Sequence, residues 1–321
     1  MLYRILKFFL RPALPLFCRK IFISDPAMLQ EKGPLLLACN HPNSFLDAII
    51  LDLLFEQPVW SLARGDVFKK TRVARLLHAL KILPVYRTSE GVENLSENYK
   101  TFDACLRLFR QNGIVLIFSE GKCINEWHLR PLKKGTARLA VQCWEEGIPL
   151  RVLPVGINYS SFRRFGKNVY LCFGDIITSS VIREKDTDGQ RNQAFNRQLQ
   201  AALKPLVFEI PKADKPLQEQ KLAIPVPAVK KALLFLPAAA GLVLHWPLYG
   251  PLKKFAWKKT NHNDHYDSVL VSLLLFLYPF YLLLLAIPAF FIMQSWFAFL
   301  LFLLLPFCAW SCIQLKPQLD K

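Results

Sequence analysis

Acidic residues are scarce in this chain, and over one long stretch charge of either sign is missing altogether. The 321 residues hold 24 Asp and Glu against 41 Lys and Arg, a formal net charge of +17. An excess of that size points to anionic partners such as phosphates, acidic lipids, nucleic acids or acidic carrier proteins, without choosing among them. No recognisable nucleic-acid module accompanies it. From Val269 to Leu315 there is no Asp, Glu, Lys or Arg. That run is more than twice the roughly 20 residues a helix needs to cross a hydrocarbon core.

Ordered cysteine pairs are missing too. Eight cysteines are scattered without a repeated C-x-x-C, which excludes a zinc ribbon and a secreted disulfide framework and leaves reduced, cytosol-facing thiols as the expectation. Cys308 and Cys312 lie in the apolar run, where packing suits them better than a metal. The N-terminal segment is not expected to be a secretory signal, because Lys7 and Arg11 divide its apolar residues. The G-x-S-x-G elbow of serine hydrolases does not occur. No internal repeat is visible, and 53% apolar content excludes a disordered chain.

What is present falls into two kinds of material. The first 230 residues carry 34 basic and 21 acidic side chains, the last 91 only seven and three. The composition predicts four parts. Residues 1–28 read as a basic amphipathic helix on a membrane surface, residues 29–210 as an α/β domain, 211–230 as a linker, and 231–321 as an α-helical membrane region. Within that region 269–289 and 293–313 are expected to span, with their turn between Pro288 and Ser295. Residues 231–250 carry Pro237, Pro247 and two glycines, and read as a re-entrant or interfacial element in preference to a third span. The basic loop at 252–268 and the lysine-bearing tail are expected on the cytoplasmic side, as is the α/β domain.

Between 33 and 210, short apolar β-rich runs alternate with helical periodicity. "GPLLLAC", "VWSLA", "ILPVY", "GIVLIF", "LRVLPVGI" and "VYLCF" predict strands. Their continuous apolar character implies a largely parallel sheet covered by helices on both faces. Open sheets of this class place their sites at the strand exits, and the chemistry-bearing residues gather there. His41 leaves the first predicted strand between Asn40 and Pro42, and Asp47 follows on a helical first turn. A histidine that takes a proton from a hydroxyl needs a partner to fix its tautomer, and a carboxylate does this. Taken alone, the pair fits equally an Asn-His turn with a first-turn helix acid. Glu120 and Gly121 follow the fourth strand, with Lys122, Arg130, Lys133, Lys134 and Arg138 behind them. Arg64 and Arg87 end two further strands, so several cations could converge on one phosphate.

The blocks "NHPNSFLD", "ILPVYR", "FSEG" and "VLPVGINY", in that order over about residues 30 to 180, resemble those of the glycerolipid acyltransferase family, which includes glycerol-3-phosphate and lysophosphatidate acyltransferases. The resemblance implies an α/β fold and direct acyl transfer from acyl-CoA or acyl-acyl carrier protein to a hydroxyl of a glycerol phosphate, with no metal or organic cofactor. It implies His41 as general base, Asp47 as its orienting carboxylate, Arg87 on the acceptor phosphate, Glu120 and Gly121 shaping the acceptor site, and Pro154 on the acyl-chain side. Arg64, Lys122, Lys133 and Lys134 are added on electrostatic grounds. The expected acceptor is 1-acylglycerol-3-phosphate, with sn-1 acylation of glycerol 3-phosphate or dihydroxyacetone phosphate as the alternative. Anionic membrane lipid is the expected surface.

The chain departs from the family pattern twice. Five residues, "PNSFL", separate His41 from Asp47 where four are common. The pairing then requires a bulge, and the same spacing occurs in a branch resembling the yeast-type enzymes acting on glycerol 3-phosphate or dihydroxyacetone phosphate. Ser119 stands where proline usually precedes the glutamate, which predicts a looser turn. The unusual spacing also leaves open a non-catalytic lipid-binding protein of this fold. "NHNDHYD" at 261–267 places His262 and Asp267 at the common spacing, but no apolar strand precedes it. His262, His265 and Asp264 are expected to meet headgroups or one another.

Overall fold

The computed structural model describes residues 2–86, 95–182 and 187–320. The chain divides into two compact units. The first comprises 1–11, 23–158 and 170–212, the second 12–22, 159–169 and 213–321.

Seven strands form one sheet: β1 (Cys18–Ile23), β2 (Leu35–Cys39), β3 (Val59–Arg64), β4 (Ile82–Val85), β5 (Ile114–Phe118), β6 (Arg151–Tyr159) and β7 (Lys167–Phe173), in the order β1-β7-β6-β2-β5-β3-β4. The β2–β5, β2–β6, β3–β4 and β3–β5 pairs are parallel. β2 lies between β6 and β5, and all five of its residues are buried. That burial explains why "LLLAC" is apolar without alternation: both faces of a central parallel strand meet covering helices. The connecting helices are α2 (Phe45–Leu54), α3 (Thr71–Ala79), α4 (Leu95–Arg110), α5 (Lys134–Glu145) and α6 (Asp188–Leu203). α6 begins with a full capping box between Thr187 and Gln190, a local start signal that satisfies two orphan donors. The main core packs Leu36, Val115, Leu139, Cys143, Phe195 and Leu199 together.

The N-terminal segment differs from expectation. The helix predicted over 1–28 stops at Phe17 as α1 (Leu2–Phe17), and residues 18–23 are the edge strand β1. "CRKIFI" is β-branched and aromatic, and a partner strand outweighs helical continuation. Within the first unit, Asp52 on α2 ties three elements together. Its carboxylate accepts from Tyr3 Oη at 2.7 Å and from Val59 N at 3.0 Å, with Lys7 Nζ 3.8 Å away. Arg11 Nε donates to Leu53 O at 2.7 Å and Lys7 to Phe55 O at 2.9 Å, so cations satisfy the last carbonyls of α2.

In the second unit, the expected linker contains α7 (Lys215–Leu222). Three helices follow: α8 (Ala228–Thr260), α9 (Tyr266–Met293) and α10 (Leu301–Leu315). Each of α8 and α9, and the stretch Trp296–Leu315 containing α10, is long and apolar enough to cross a membrane. α9 runs through Pro288, so the turn falls later than that proline, at Gln294 and Ser295; Gln294 is left-handed and Ser295 Oγ accepts from Phe297 N. The His262/Asp267 look-alike separates. His262 is exposed, whereas Asp267 is buried and ion-paired with buried Lys167.

Asp52→Ala should destabilise the protein by about 1–3 kcal/mol, because it strands the donors of Tyr3 and Val59 and removes the ion pair with Lys7. Thermal unfolding of the detergent-solubilised protein, compared with a substitution of nearby exposed Glu56, measures the difference.

Candidate active site

The site is built by strand register. β2 and β5 pair with Cys39 opposite Phe118, so the second residues beyond each strand, His41 and Glu120, emerge side by side. Ser119 N donates to Cys39 O at 2.9 Å, carrying the ladder one step past the strands. On the other side of β2 the Asn40 amide extends the β6 contact, donating to Ile157 O at 3.0 Å and accepting from Ile157 N at 2.7 Å. Asn40 was not among the expected site residues. A polar residue ending a fully apolar strand was the available signal, and the structure gives it the task of fixing the backbone before His41.

His41 Nδ1 lies 2.8 Å from Asp47 Oδ2. Asp47 is fully buried in the first turn of α2, while the His41 side chain keeps 16% of its surface exposed. Asp47 Oδ2 also accepts from Asn43 N at 2.9 Å. The five-residue spacing is absorbed at Ser44, whose φ of 55° and ψ of −143° form the bulge. Such a φ is cheap only for glycine; here the Ser44 N–H points at Cys123 Sγ, 2.9 Å away. The imidazole lies flat against Phe118, with ring centroids 3.8 Å apart and planes 8° from parallel. With Nδ1 held by the carboxylate and one face covered, the geometry directs Nε2 to an incoming group.

Glu120 is held by backbone donors on both of its oxygens. It is buried, and its two oxygens accept from His41 N at 2.9 Å and Arg130 N at 2.8 Å. The carboxylate therefore pins the histidine loop to the chain behind β5. Burial pushes its pKa above the usual 4.5, opposed by those two backbone donors and then by the charges of His41 and Arg130. Gly121 has φ +68°, and a Cβ there would sit 3.0 Å from Lys133 Cγ. Ser119 does not loosen the turn as predicted. It is buried, accepts from Thr136 Oγ1 at 3.0 Å, and its carbonyl accepts from Lys133 N at 2.7 Å. The Ile124 N–H reaches His41 O at 3.1 Å and Asn125 Nδ2 reaches Pro42 O at 2.7 Å, closing the loop after Gly121 over the one after β2.

The expected cations are less uniform. Lys122, Lys133 and Lys134 are all exposed. Arg64 ends β3 at the same edge of the sheet, half-exposed and paired with Asp66 through a 2.5 Å contact. Arg87 lies outside the described residues; the β3–β4 register, with Arg64 opposite Val85, brings the chain leading to it to this edge. Pro154 is buried within β6 opposite Ala38.

Residues 20–158 match the model of the family described as Acyltransferase. The matched stretch covers less than half of the 321 residues. It contains β2 to β5, the His41–Asp47 pair and Glu120, and it ends within β6. No curated protein matches the chain. Among solved structures, PlsC from Thermotoga maritima, titled a 1-acyl-sn-glycerophosphate (LPA) acyltransferase, is similar at 14% identity and a TM-score of 0.43, over 64% of this chain and 82% of that one.

Glu120→Gln leaves one oxygen for two backbone donors and should lower acyltransferase activity at least tenfold in a folded protein. The pH dependence has a definite sign. A carboxyl raised in the folded state contributes stability that is present below its unfolded pKa and is lost as pH rises through its folded value. The variant's stability deficit relative to wild type should therefore be smaller at pH 7 than at pH 4, read from paired denaturant titrations.

Proposed function

We propose that the acyltransferase domain moves a fatty acyl group from an acyl thioester to a free hydroxyl of a glycerol phosphate, with 1-acylglycerol-3-phosphate as the acceptor. The observation that carries this reading is the His41–Asp47 contact of 2.8 Å at the exit of the central strand, with the carboxylate buried and the imidazole accessible. Asp47 holds Nδ1 as the proton-bearing nitrogen, which leaves Nε2 with its lone pair. Nε2 takes the proton of the acceptor hydroxyl as that oxygen bonds to the thioester carbonyl carbon. The carbon–sulfur bond then breaks, and the leaving thiolate takes the proton back from the imidazolium. Buried Asp47 stabilises the transient positive ring. A thioester is already activated, so the step calls for neither an acyl-enzyme nor a metal or organic cofactor.

The acceptor's phosphate would meet Arg64, Lys122, Lys133 and Lys134, the cations at or behind this edge of the sheet, together with Arg87, which lies outside the described residues. Glu120 and Gly121 act on the acceptor indirectly, by fixing the loops that carry His41 and Lys133. The five-residue spacing was the main support for a non-catalytic lipid-binding protein, and the Ser44 bulge removes that support. We assign the domain to the cytoplasmic face, where free thiols are kept reduced and acyl-CoA and acyl carrier protein are found.

Acyl transfer is measured with acyl-CoA and acyl-acyl carrier protein against glycerol 3-phosphate, dihydroxyacetone phosphate and 1-acylglycerol-3-phosphate. His41→Ala should lose about 10²–10⁴-fold in kcat, the usual contribution of a positioned base. Asp47→Asn should lose a comparable factor with little change in KM, since it disturbs the tautomer and not the binding of the anion. Full activity in His41→Ala would end the mechanism; a folded wild-type protein inactive on every pair would end the assignment of acceptor.

A further inference from the structure

The three C-terminal helices are alike in apolar character, but contacts within the second unit set α8 apart. Its C-terminal half runs antiparallel to α9. Trp257 meets Tyr266 with centroids 5.7 Å apart, His245 Nε2 lies 3.0 Å from Tyr278 Oη, and Tyr281 Oη donates to Leu244 O at 2.5 Å. The same half runs parallel to α10. Gly241 touches the Cys308 backbone so closely that a Cβ would collide with the carbonyl oxygen, and eight residues further along each helix Lys316 Nζ lies 4.5 Å from the Tyr249 ring centroid.

The N-terminal end of α8 does not continue that line. Lys230 Nζ donates to Gln314 Oε1 at 2.7 Å and lies 5.8 Å from the Trp310 ring centroid. Lys230 and Tyr249 thus both meet the end of α10, while Gly241 between them meets Cys308, about 9 Å further down that helix. A straight helix would hold Lys230 and Tyr249 about 28 Å apart, on opposite sides of Gly241. α8 is therefore sharply bent. Pro237 and Pro247 flank the bend. Pro247 offers no N–H to the Val243 carbonyl and its ring pushes that carbonyl aside. Side chains serve neighbouring carbonyls at the bend: His245 Nδ1 lies 2.8 Å from Gly241 O, and the Tyr281 hydroxyl donates to Leu244 O. Backbone that leaves the regular ladder at membrane depth persists only with such protein partners.

We infer that α8 is re-entrant. It enters the bilayer beside Lys230 and Lys231, dips to Gly241–His245 and returns to the same face at Lys253–Thr260, so that α9 and α10 alone cross. The depth agrees. His245 meets α9 at Tyr278, about 18 Å from the start of that helix, and α9 then runs about 22 Å further. The occupant of the outer surface of α8 is the acyl-chain layer of one leaflet, facing Leu233, Phe235, Leu236, Val243 and Trp246, all exposed. Charge is distributed accordingly. Lysines at 230–231, 253–254, 258–259 and 316 belong to the entry face, and the α9–α10 turn has none.

Single cysteines at Lys231→Cys, Asn263→Cys and Gln294→Cys in the full chain, all exposed positions, test this in sealed membrane vesicles of one orientation. A membrane-impermeant maleimide is applied before and after permeabilisation, with the wild-type chain as the background for native cysteines. The 231 and 263 positions should label together, and 294 only under the opposite condition. Labelling of 231 and 263 from opposite faces, or of 294 from theirs, overturns the inference. If a cysteine variant fails to insert, a short epitope placed at the same three positions and read with an antibody gives the same decision.

Discussion

The site depends on one constraint, the parallel register of β2 against β5. Because Cys39 stands opposite Phe118, the residues two steps beyond each strand are neighbours, and those residues are His41 and Glu120. A slip of one position would turn every side chain of β2 to the other face and send His41 away from Glu120. The register is over-determined, since β2 is buried on both faces and is paired on both sides. Asn40 and Ser119 carry it past the strand ends by hydrogen bonds to Ile157 and Cys39. The chemistry is thus positioned by backbone ladders before any side chain of the site makes a contact of its own.

Against that rigid base, several local irregularities gather around His41. Ser44 holds an unfavourable φ, Gly121 a left-handed one, and Glu120 is a buried carboxyl. Two of them meet specific partners: Cys123 for the Ser44 N–H, and the backbone donors of His41 and Arg130 for Glu120. A chain selected for stability alone would avoid the strained serine and the buried carboxyl. Their joint occurrence at the exit of the central strand is what a site with a required geometry looks like, because strain and buried charge persist only where the surroundings hold them in place.

Six of the seven strands were legible because a central parallel strand must be apolar throughout, and runs such as "LLLAC" and "IVLIF" allow few other fates. β1 was hidden by its neighbours: "CRKIFI" follows an amphipathic helix without a turn signal, and its strand state is decided by distant β7, which local pattern does not report. The His41–Asp47 pair was legible from residue type and proximity, and the need for a bulge from the spacing, but the bulge's position was not, since Ser44 carries no mark of a left-handed φ. Glu120 was legible for its place but not for its partners. A carboxylate beside cations suggests a ligand contact, and only the fold reveals that two backbone N–H groups already occupy it. The aim of Lys122, Lys133 and Lys134 was not legible, because they are long flexible chains whose direction sequence does not fix.

The membrane region follows from the size of the molecules an acyltransferase of this kind would handle. Moving an acyl chain through water costs about 0.8 kcal/mol per CH₂, so a chain of sixteen carbons would cost roughly 12 kcal/mol, a large demand on any active site. An enzyme that releases its lipid product into the bilayer avoids the cost, provided it stays at the surface. Two crossing helices suffice for that. A re-entrant helix adds something they do not, since it takes up space in one leaflet and leaves the other undisturbed.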